Sequence, residues 1–125
     1  MDKLQSSEDY LERILMLQNS IGQVRSIDIA NSLEYSKPSV SIALKKLKAS
    51  GHIHISESGY VTLTDKGYEI ASLVLDKHNL LTEFLIALGV SKETAYKDAC
   101  KLEHSLSYES YEKMRDFYNN TIKNK

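Results

Sequence analysis

The segment most informative about the fold is residues 26–63, SIDIANSLEYSKPSVSIALKKLKASGHIHISESGYVTL. Apolar residues first recur at helical spacing, in a short segment ending at Leu33 and a longer one from Pro38 to about Ser50. Pro38 suits the first position of a helix, where its missing N–H costs nothing. Alternation around Gly59 then predicts two short strands joined by a turn. Helix, turn, helix and hairpin in this order predict a winged helix-turn-helix.

The flanking segments predict further helices, so the expected fold class is mainly α. The first helix spans residues 6–21, with Ser6 or Ser7 as its cap and acids in its first turn. Later helices are expected from Thr64 to about Leu88, from Ser91 to about Leu106, and over residues 108–122. We predict a DNA-binding domain over residues 1–64 and a second, helical domain over residues 65–125.

Composition restricts the class of protein. The chain has 125 residues, 42% of them hydrophobic, and its net charge is −1, which excludes a disordered tail or a uniformly basic coat protein. A single cysteine excludes an internal disulfide and favours a reducing compartment. The N-terminal MDKLQSSEDY lacks an apolar signal region, and no apolar run approaches the roughly 20 residues that span a bilayer. We therefore expect a cytoplasmic protein with no membrane partner.

Positive charge is concentrated on the second helix of the helix-turn-helix. From Tyr35 to Ser56 the sequence has four lysines and no Asp or Glu. A solvated lysine-rich face is the alternative explanation, but the surrounding module favours contact with phosphates of double-stranded DNA. The short hydroxyl side chains at the start of this helix allow a close approach to DNA. We predict that DNA is bound by Ser36, Lys37, Pro38, Ser39, Ser41, Lys45 and Lys46.

A second constellation has the composition of a metal site. Cys100, Glu103 and His104 have i, i+3 and i+4 spacing, and Asp9 and Glu12 share one face of the first helix. With His78 midway along the long helix, three helices offer six groups suited to a divalent transition metal. Each group alone has an ordinary explanation: acids stabilising a helix N-terminus, a small buried cysteine, or exposed polar side chains.

These motifs resemble the diphtheria-toxin-repressor and manganese-transport-regulator family of bacterial metal-dependent repressors. The resemblance covers about residues 5–118. The segments that carry it are Ser7-Glu8-Asp9-Tyr10-Leu11-Glu12, Ile29-Ala30, Pro38-Ser39-Val40-Ser41, Leu63-Thr64-Asp65-Lys66-Gly67, Lys77-His78-Asn79-Leu80-Leu81 and Cys100-Lys101-Leu102-Glu103-His104-Ser105-Leu106-Ser107. It implies a metal-binding and dimerisation function for the second domain, and a homodimer on a pseudo-palindromic operator.

Position by position, the resemblance assigns metal binding to Asp9, Glu12, His78, Cys100, Glu103 and His104. Asp9 resembles the manganese branch and Cys100 the iron branch, so the implied ion is Fe(II) or Mn(II), with a slight preference for Fe(II). The ancillary site of the iron branch is expected to be lost, because Tyr96 and Thr82 replace its histidine and its acid. Because the sequence ends at Lys125, we also expect no additional C-terminal domain of the iron-branch type.

The expected function is metal-dependent transcriptional repression of metal-homeostasis genes. The alternative is a winged-helix regulator that responds to an organic ligand or a redox signal without metal, with Cys100 as a sensor thiol. That alternative predicts DNA binding in the absence of metal. A helical metalloenzyme is disfavoured, since the sequence has no His-Glu-x-x-His or Glu-x-x-His motif and an enzyme needs no basic helix.

Overall fold

The computed structural model describes residues 3–123, with side chains from Ser7 onward. Its elements are α1 Lys3–Ile21, β1 Val24–Arg25, α2 Ser26–Leu33, α3 Lys37–Ala49, β2 Ile53–Ile55, β3 Tyr60–Leu63, α4 Asp65–Ala87, α5 Lys92–Leu102, α6 Tyr108–Phe117 and a π-helical segment, Tyr118–Lys123. The chain forms two compact units, here called the N-terminal and C-terminal units, which divide between Leu73 and Val74 within α4. The mainly α, winged helix-turn-helix prediction is confirmed.

The helix-turn-helix of the N-terminal unit consists of α2 and α3. The Ser36 hydroxyl oxygen caps α3 by accepting a hydrogen bond from the Ser39 N–H at 3.3 Å. Pro38 is the second helical residue rather than the first, because the capping geometry of Ser36 makes Lys37 the first. The side chains of Val40, Leu44 and Leu47 are buried. Their spacing fixes one face of α3 in the core and leaves the opposite face to solvent.

The wing is a three-stranded antiparallel sheet in the order β1–β3–β2. The predicted hairpin of β2 and β3 is confirmed, with His54 opposite Thr62. The sequence did not predict β1, because a strand of two residues is too short to show alternation. Its Val24 pairs with Val61, and both side chains are buried. Through this pairing, β1 connects the β2–β3 hairpin to the segment that precedes α2.

Two expected helix ends are wrong. The first helix begins at Lys3, so neither Ser6 nor Ser7 is its N-cap, and Asp9 lies beyond its first turn. Lys, Leu and Gln favour helix strongly enough to extend it toward the N-terminus. At the other end of the chain, α5 ends at Leu102 rather than near Leu106. The apolar spacing in the sequence continues to Leu106 because this residue is partly buried, although it lies beyond the end of the helix.

The residues that follow α5 form a tight turn. The N–H groups of Ser105 and Leu106 both donate to the carbonyl oxygen of Leu102, at 3.0 and 3.1 Å. Ser107 then caps α6 through the Ser110 N–H at 3.1 Å, as predicted. The predicted last helix is α-helical only to Phe117, and the π-helical segment continues it to Lys123. None of the helices in residues 3–123 combines the length and the apolar character needed to cross a membrane.

Gly67 allows α4 to pass very close to the base of the wing. A Cβ atom at this position would meet the backbone carbonyl oxygen of His52 and lie 3.0 Å from its carbonyl carbon. That carbonyl cannot easily move, because it accepts a hydrogen bond from the Thr64 N–H at 3.1 Å. The Thr64 hydroxyl also donates to the Gly51 carbonyl at 2.7 Å. The glycine is therefore required by this contact.

We expect Gly67→Ala to lower the free energy of unfolding by about 1–3 kcal/mol, the usual cost of overpacking. This loss exceeds the gain of up to about 1 kcal/mol that alanine brings to a helix. Urea unfolding of the variant and the wild type measures the difference. The control is Glu69→Ala, an exposed position in the same helix, which should change stability by no more than about 0.5 kcal/mol. Equal stability of Gly67→Ala and wild type would contradict the prediction.

Candidate metal centre and DNA-binding surface

The seven residues predicted to bind DNA share one property in the structure: all are exposed. They are Ser36, Lys37, Pro38, Ser39, Ser41, Lys45 and Lys46. Ser36 and Ser39 are also hydrogen-bonded to each other, with the two hydroxyl oxygens 2.9 Å apart. Lys48, in the last turn of α3, is exposed as well. The solvent face of α3 therefore presents hydroxyls at its start and positive charge toward its end.

The six predicted metal ligands are divided between the two units. Asp9 and Glu12 lie on α1, where Glu12 is buried and Asp9 is half-buried. Tyr10 lies between them and packs edge-on against Tyr35, with the ring centroids 5.8 Å apart. Burial raises the pKa of Tyr10, and the nearby Tyr35 and Asp9 raise it further. Asp9 and Glu12 lie beyond the first turn of α1, so the helix-dipole explanation for them loses its basis.

The other four predicted ligands come together within the C-terminal unit. His78 lies on α4 and Cys100 on α5, while Glu103 and His104 open the turn after α5. His78 Nδ1 is 2.9 Å from Glu103 Oε2 and 3.8 Å from Cys100 Sγ. His104 Nε2 is 3.4 Å from Glu103 Oε1. The two oxygens of one carboxylate thus each lie close to an imidazole nitrogen.

Burial distinguishes this cluster from an ordinary surface group. The side chains of Glu103 and His104 are 1% and 4% exposed, and His78 is also buried. Acidic side chains are almost never fully buried unless they are paired or bind a metal. The expectation of an exposed Glu103–His104 pair, which was the ordinary explanation, is wrong. Although α5 ends at Leu102, Glu103 keeps a helical hydrogen bond, since its N–H donates to the Ala99 carbonyl at 3.0 Å. This bond keeps Glu103 next to the end of the helix.

Two further side chains contact His78, and both stand where the iron branch would have ancillary ligands. The Tyr96 ring packs edge-on against the imidazole, with the centroids 4.7 Å apart. The Thr82 hydroxyl donates to the His78 backbone carbonyl at 2.8 Å. Neither contact could be predicted from the sequence pattern. Tyr96 packs against the imidazole itself, whereas Thr82 bonds only to the His78 backbone, and neither side chain is an anionic ligand.

The donors of this cluster fit a divalent transition metal. Two imidazoles, one carboxylate and one thiol form a mixed set that a borderline ion prefers and that calcium or magnesium does not. The same chain carries an exposed basic helix within a winged helix-turn-helix. Fold and site together define a class: a DNA-binding regulator that responds to a metal ion.

Comparison with known proteins is consistent with this class over nearly the whole chain. Residues 3–66 match the family described as iron dependent repressor, N-terminal DNA binding domain. Residues 64–124 match the family described as iron dependent repressor, metal binding and dimerisation domain. The chain therefore belongs to the diphtheria-toxin-repressor and manganese-transport-regulator family of metal-dependent transcriptional repressors.

Individual relatives agree with this assignment. An uncharacterised HTH-type transcriptional regulator of Methanocaldococcus jannaschii is 39% identical over 90% of this chain and 92% of its own. The HTH-type transcriptional regulator MntR of Shouchella clausii is 36% identical, covering 89% of this chain and 78% of the relative. The solved structure of the manganese regulator SloR is 31% identical with a TM-score of 0.79, over 90% of this chain. The chain spans about half, 53%, of that structure.

These findings favour the metal-dependent repressor over the regulator that responds to an organic ligand or a redox signal without metal. Members of the family are metal-regulated repressors that bind Fe(II) or Mn(II), an operator in DNA, and a second copy of themselves. A regulator without a metal does not fit the matched metal-binding domain. The relatives are transcriptional regulators.

Proposed function

We propose that this chain represses metal-homeostasis genes when Fe(II) or Mn(II) is bound by Asp9, Glu12, His78, Cys100, Glu103 and His104. The observation that carries the proposal is the buried Glu103 carboxylate, whose two oxygens lie 2.9 Å from a His78 nitrogen and 3.4 Å from a His104 nitrogen, with Cys100 Sγ 3.8 Å from His78 Nδ1. Asp9 and Glu12 of the N-terminal unit complete the ligand set. The domains in this proposal are residues 1–64, which bind DNA, and residues 65–125, which bind metal and dimerise.

The ligands differ in what they select. Asp9 and Glu12 are hard oxygen donors that suit Mn(II), whereas the thiol of Cys100 favours Fe(II) and also admits Zn(II) or Co(II). A bound ion supplies positive charge that offsets the clustered carboxylates. Because ligands come from both the DNA-binding and the dimerisation regions, metal and operator binding are reciprocally coupled. We retain a slight preference for Fe(II).

On DNA, the proposed contacts divide by chemistry. Lys37, Lys45 and Lys46 bind phosphates, and the N-terminal end of α3, with Ser39 and Ser41, approaches the base edges. A homodimer places one α3 in each of two successive major grooves, which requires a pseudo-palindromic operator. In this proposal the protein acts in the cytoplasm and has no catalytic activity.

The experiment that tests this function is anaerobic capture of genomic DNA fragments by the purified protein. Capture is compared with Fe(II), with Mn(II) and with a chelator present. Fragments that are enriched only with metal are the expected result, and their common sequence identifies the operator. Equal, sequence-specific capture in chelator would remove the metal from the mechanism. Comparison of the two metal arms at equal free ion concentration identifies the activating ion.

A further inference from the structure

The turn between α5 and α6, residues 103–107, is held to α4 at two points. At its first residue, the Glu103 carboxylate contacts His78. At the other end, the Lys77 ammonium donates a hydrogen bond to the Leu106 carbonyl oxygen at 2.8 Å. Lys77 and His78 are consecutive residues of α4. Two neighbouring positions of one helix therefore fix both ends of the turn that carries two proposed ligands.

The Lys77 side chain bonds to a carbonyl far from it in the sequence. The side chain is half-buried, and its 2.8 Å contact joins residues 29 positions apart in the chain. A hydrogen bond from an ammonium to a carbonyl is stronger than a neutral one. An ammonium has no lone pair, so it is not a metal ligand. The position of the Lys77 ammonium next to the proposed ligand His78 is therefore explained by its hydrogen bond to Leu106, and not by binding to the metal.

We propose that Lys77 is a positioning residue, which holds the turn so that Glu103 and His104 are placed for the ion before it binds. Without this hydrogen bond the turn keeps its backbone hydrogen bonds to Leu102 but has more freedom at Leu106. Restricting that freedom when metal binds weakens the affinity. The inference rests on the proposed function, since it assumes that the cluster binds metal. It adds a residue outside the ligand set, on which metal affinity depends.

The test compares metal binding by wild type, Lys77→Met and Lys77→Arg. Anaerobic titration with Co(II) is the readout, because a Co(II)–thiolate absorption band reports coordination by Cys100. Lys77→Met keeps the length and packing of the side chain and loses the donor. Because Lys77 bonds to the turn and not to a ligand itself, we expect the affinity to fall by up to about 10-fold, at the lower end of the 10- to 100-fold loss typical of groups bonded directly to metal ligands. Lys77→Arg retains a donor and should bind Co(II) nearly as wild type does.

The spectrum separates positioning from ligation. Saturated Lys77→Met should show the same band as wild type, with only its midpoint moved to higher Co(II). The matched control is Lys97→Met, at an exposed position on α5 where the lysine pairs with Glu93 on the surface, and its titration should be unchanged. Hydrogen exchange of the metal-free proteins should show faster exchange of the 104–107 amides in Lys77→Met alone.

The outcomes distinguish failure of the positioning role of Lys77 from failure of the proposed metal-binding function. If wild type binds Co(II) and Lys77→Met binds it equally well, the positioning role is overturned while the metal site stands. If wild type itself binds neither Co(II) nor Mn(II), the proposed function fails and the inference with it. If Lys77→Met does not fold, Lys77→Arg decides: affinity near that of wild type supports the role, and a tenfold loss overturns it.

Discussion

Glu103→Gln is expected to abolish metal-dependent operator binding while leaving the protein folded. The glutamine has the same shape but no negative charge, and the carboxylate it replaces is 1% exposed between two imidazoles. We expect Co(II) and Mn(II) affinity to fall by more than the roughly 100-fold that loss of an outer partner causes. Direct metal titration measures this, and circular dichroism of the metal-free variant establishes that it is folded.

The matched control for Glu103→Gln is Glu93→Gln on the neighbouring helix. The Glu93 side chain is 81% exposed and pairs with Lys97 at 3.3 Å, an interaction of little energetic value. Its replacement should leave both metal titration and operator binding unchanged. A Glu103→Gln protein that binds metal within about threefold of wild type, a difference below about 1 kcal/mol, would contradict the assigned role.

A comparison with Cys100→Ser separates metal sensing from thiol sensing. Cys100 Sγ is 3.8 Å from His78 Nδ1, a longer contact than the 2.9 Å between Glu103 and the same nitrogen. The buried carboxylate is therefore the more central donor of the C-terminal cluster. In a metal-dependent repressor, loss of Glu103 should reduce DNA binding at least as strongly as loss of Cys100. A thiol sensor would show the reverse order.

The main elements of the fold followed from the sequence because each leaves a periodic pattern. The buried stripe of α3 and the alternation through Ile53–Ile55 were visible as spacing alone. Helix ends were less predictable. Ser7 has the chemistry of a cap but lies within α1, while Ser107 has the same chemistry and does cap α6. A serine that can cap a helix marks its start only where the residues before the serine do not themselves favour helix.

The candidate site was predictable as a set of residues but not as an arrangement. Spacing predicted Cys100, Glu103 and His104 on one face of a single helix, but α5 ends at Leu102, and spacing gave no distance from any of them to His78. The contacts of Lys77 and Tyr96 left no trace in the pattern, because one uses a backbone carbonyl as acceptor and the other a ring edge. Such contacts depend on tertiary packing, which no short-range periodicity encodes.

The second large effect is expected from Lys45→Gln combined with Lys46→Gln. Both lysines are exposed on α3, so their replacement should not disturb the core. Each phosphate contact contributes about 0.9 to the slope of log affinity against log salt concentration. If both side chains bind phosphates, the slope of the double variant should be smaller by about 2. Operator titrations between 50 and 200 mM salt, with saturating metal, measure the slope.

The same titration on unrelated DNA tests how recognition is divided along α3. Phosphate contacts carry no sequence information, so the double variant should lose affinity for operator and unrelated DNA by the same factor. Ser39→Ala should instead reduce the ratio between the two affinities if the start of α3 lies against base edges. Lys97→Gln with Lys101→Gln, two exposed lysines on α5, controls for net charge. An equal change of slope in that control would mean that total charge, rather than the surface of α3, governs DNA binding.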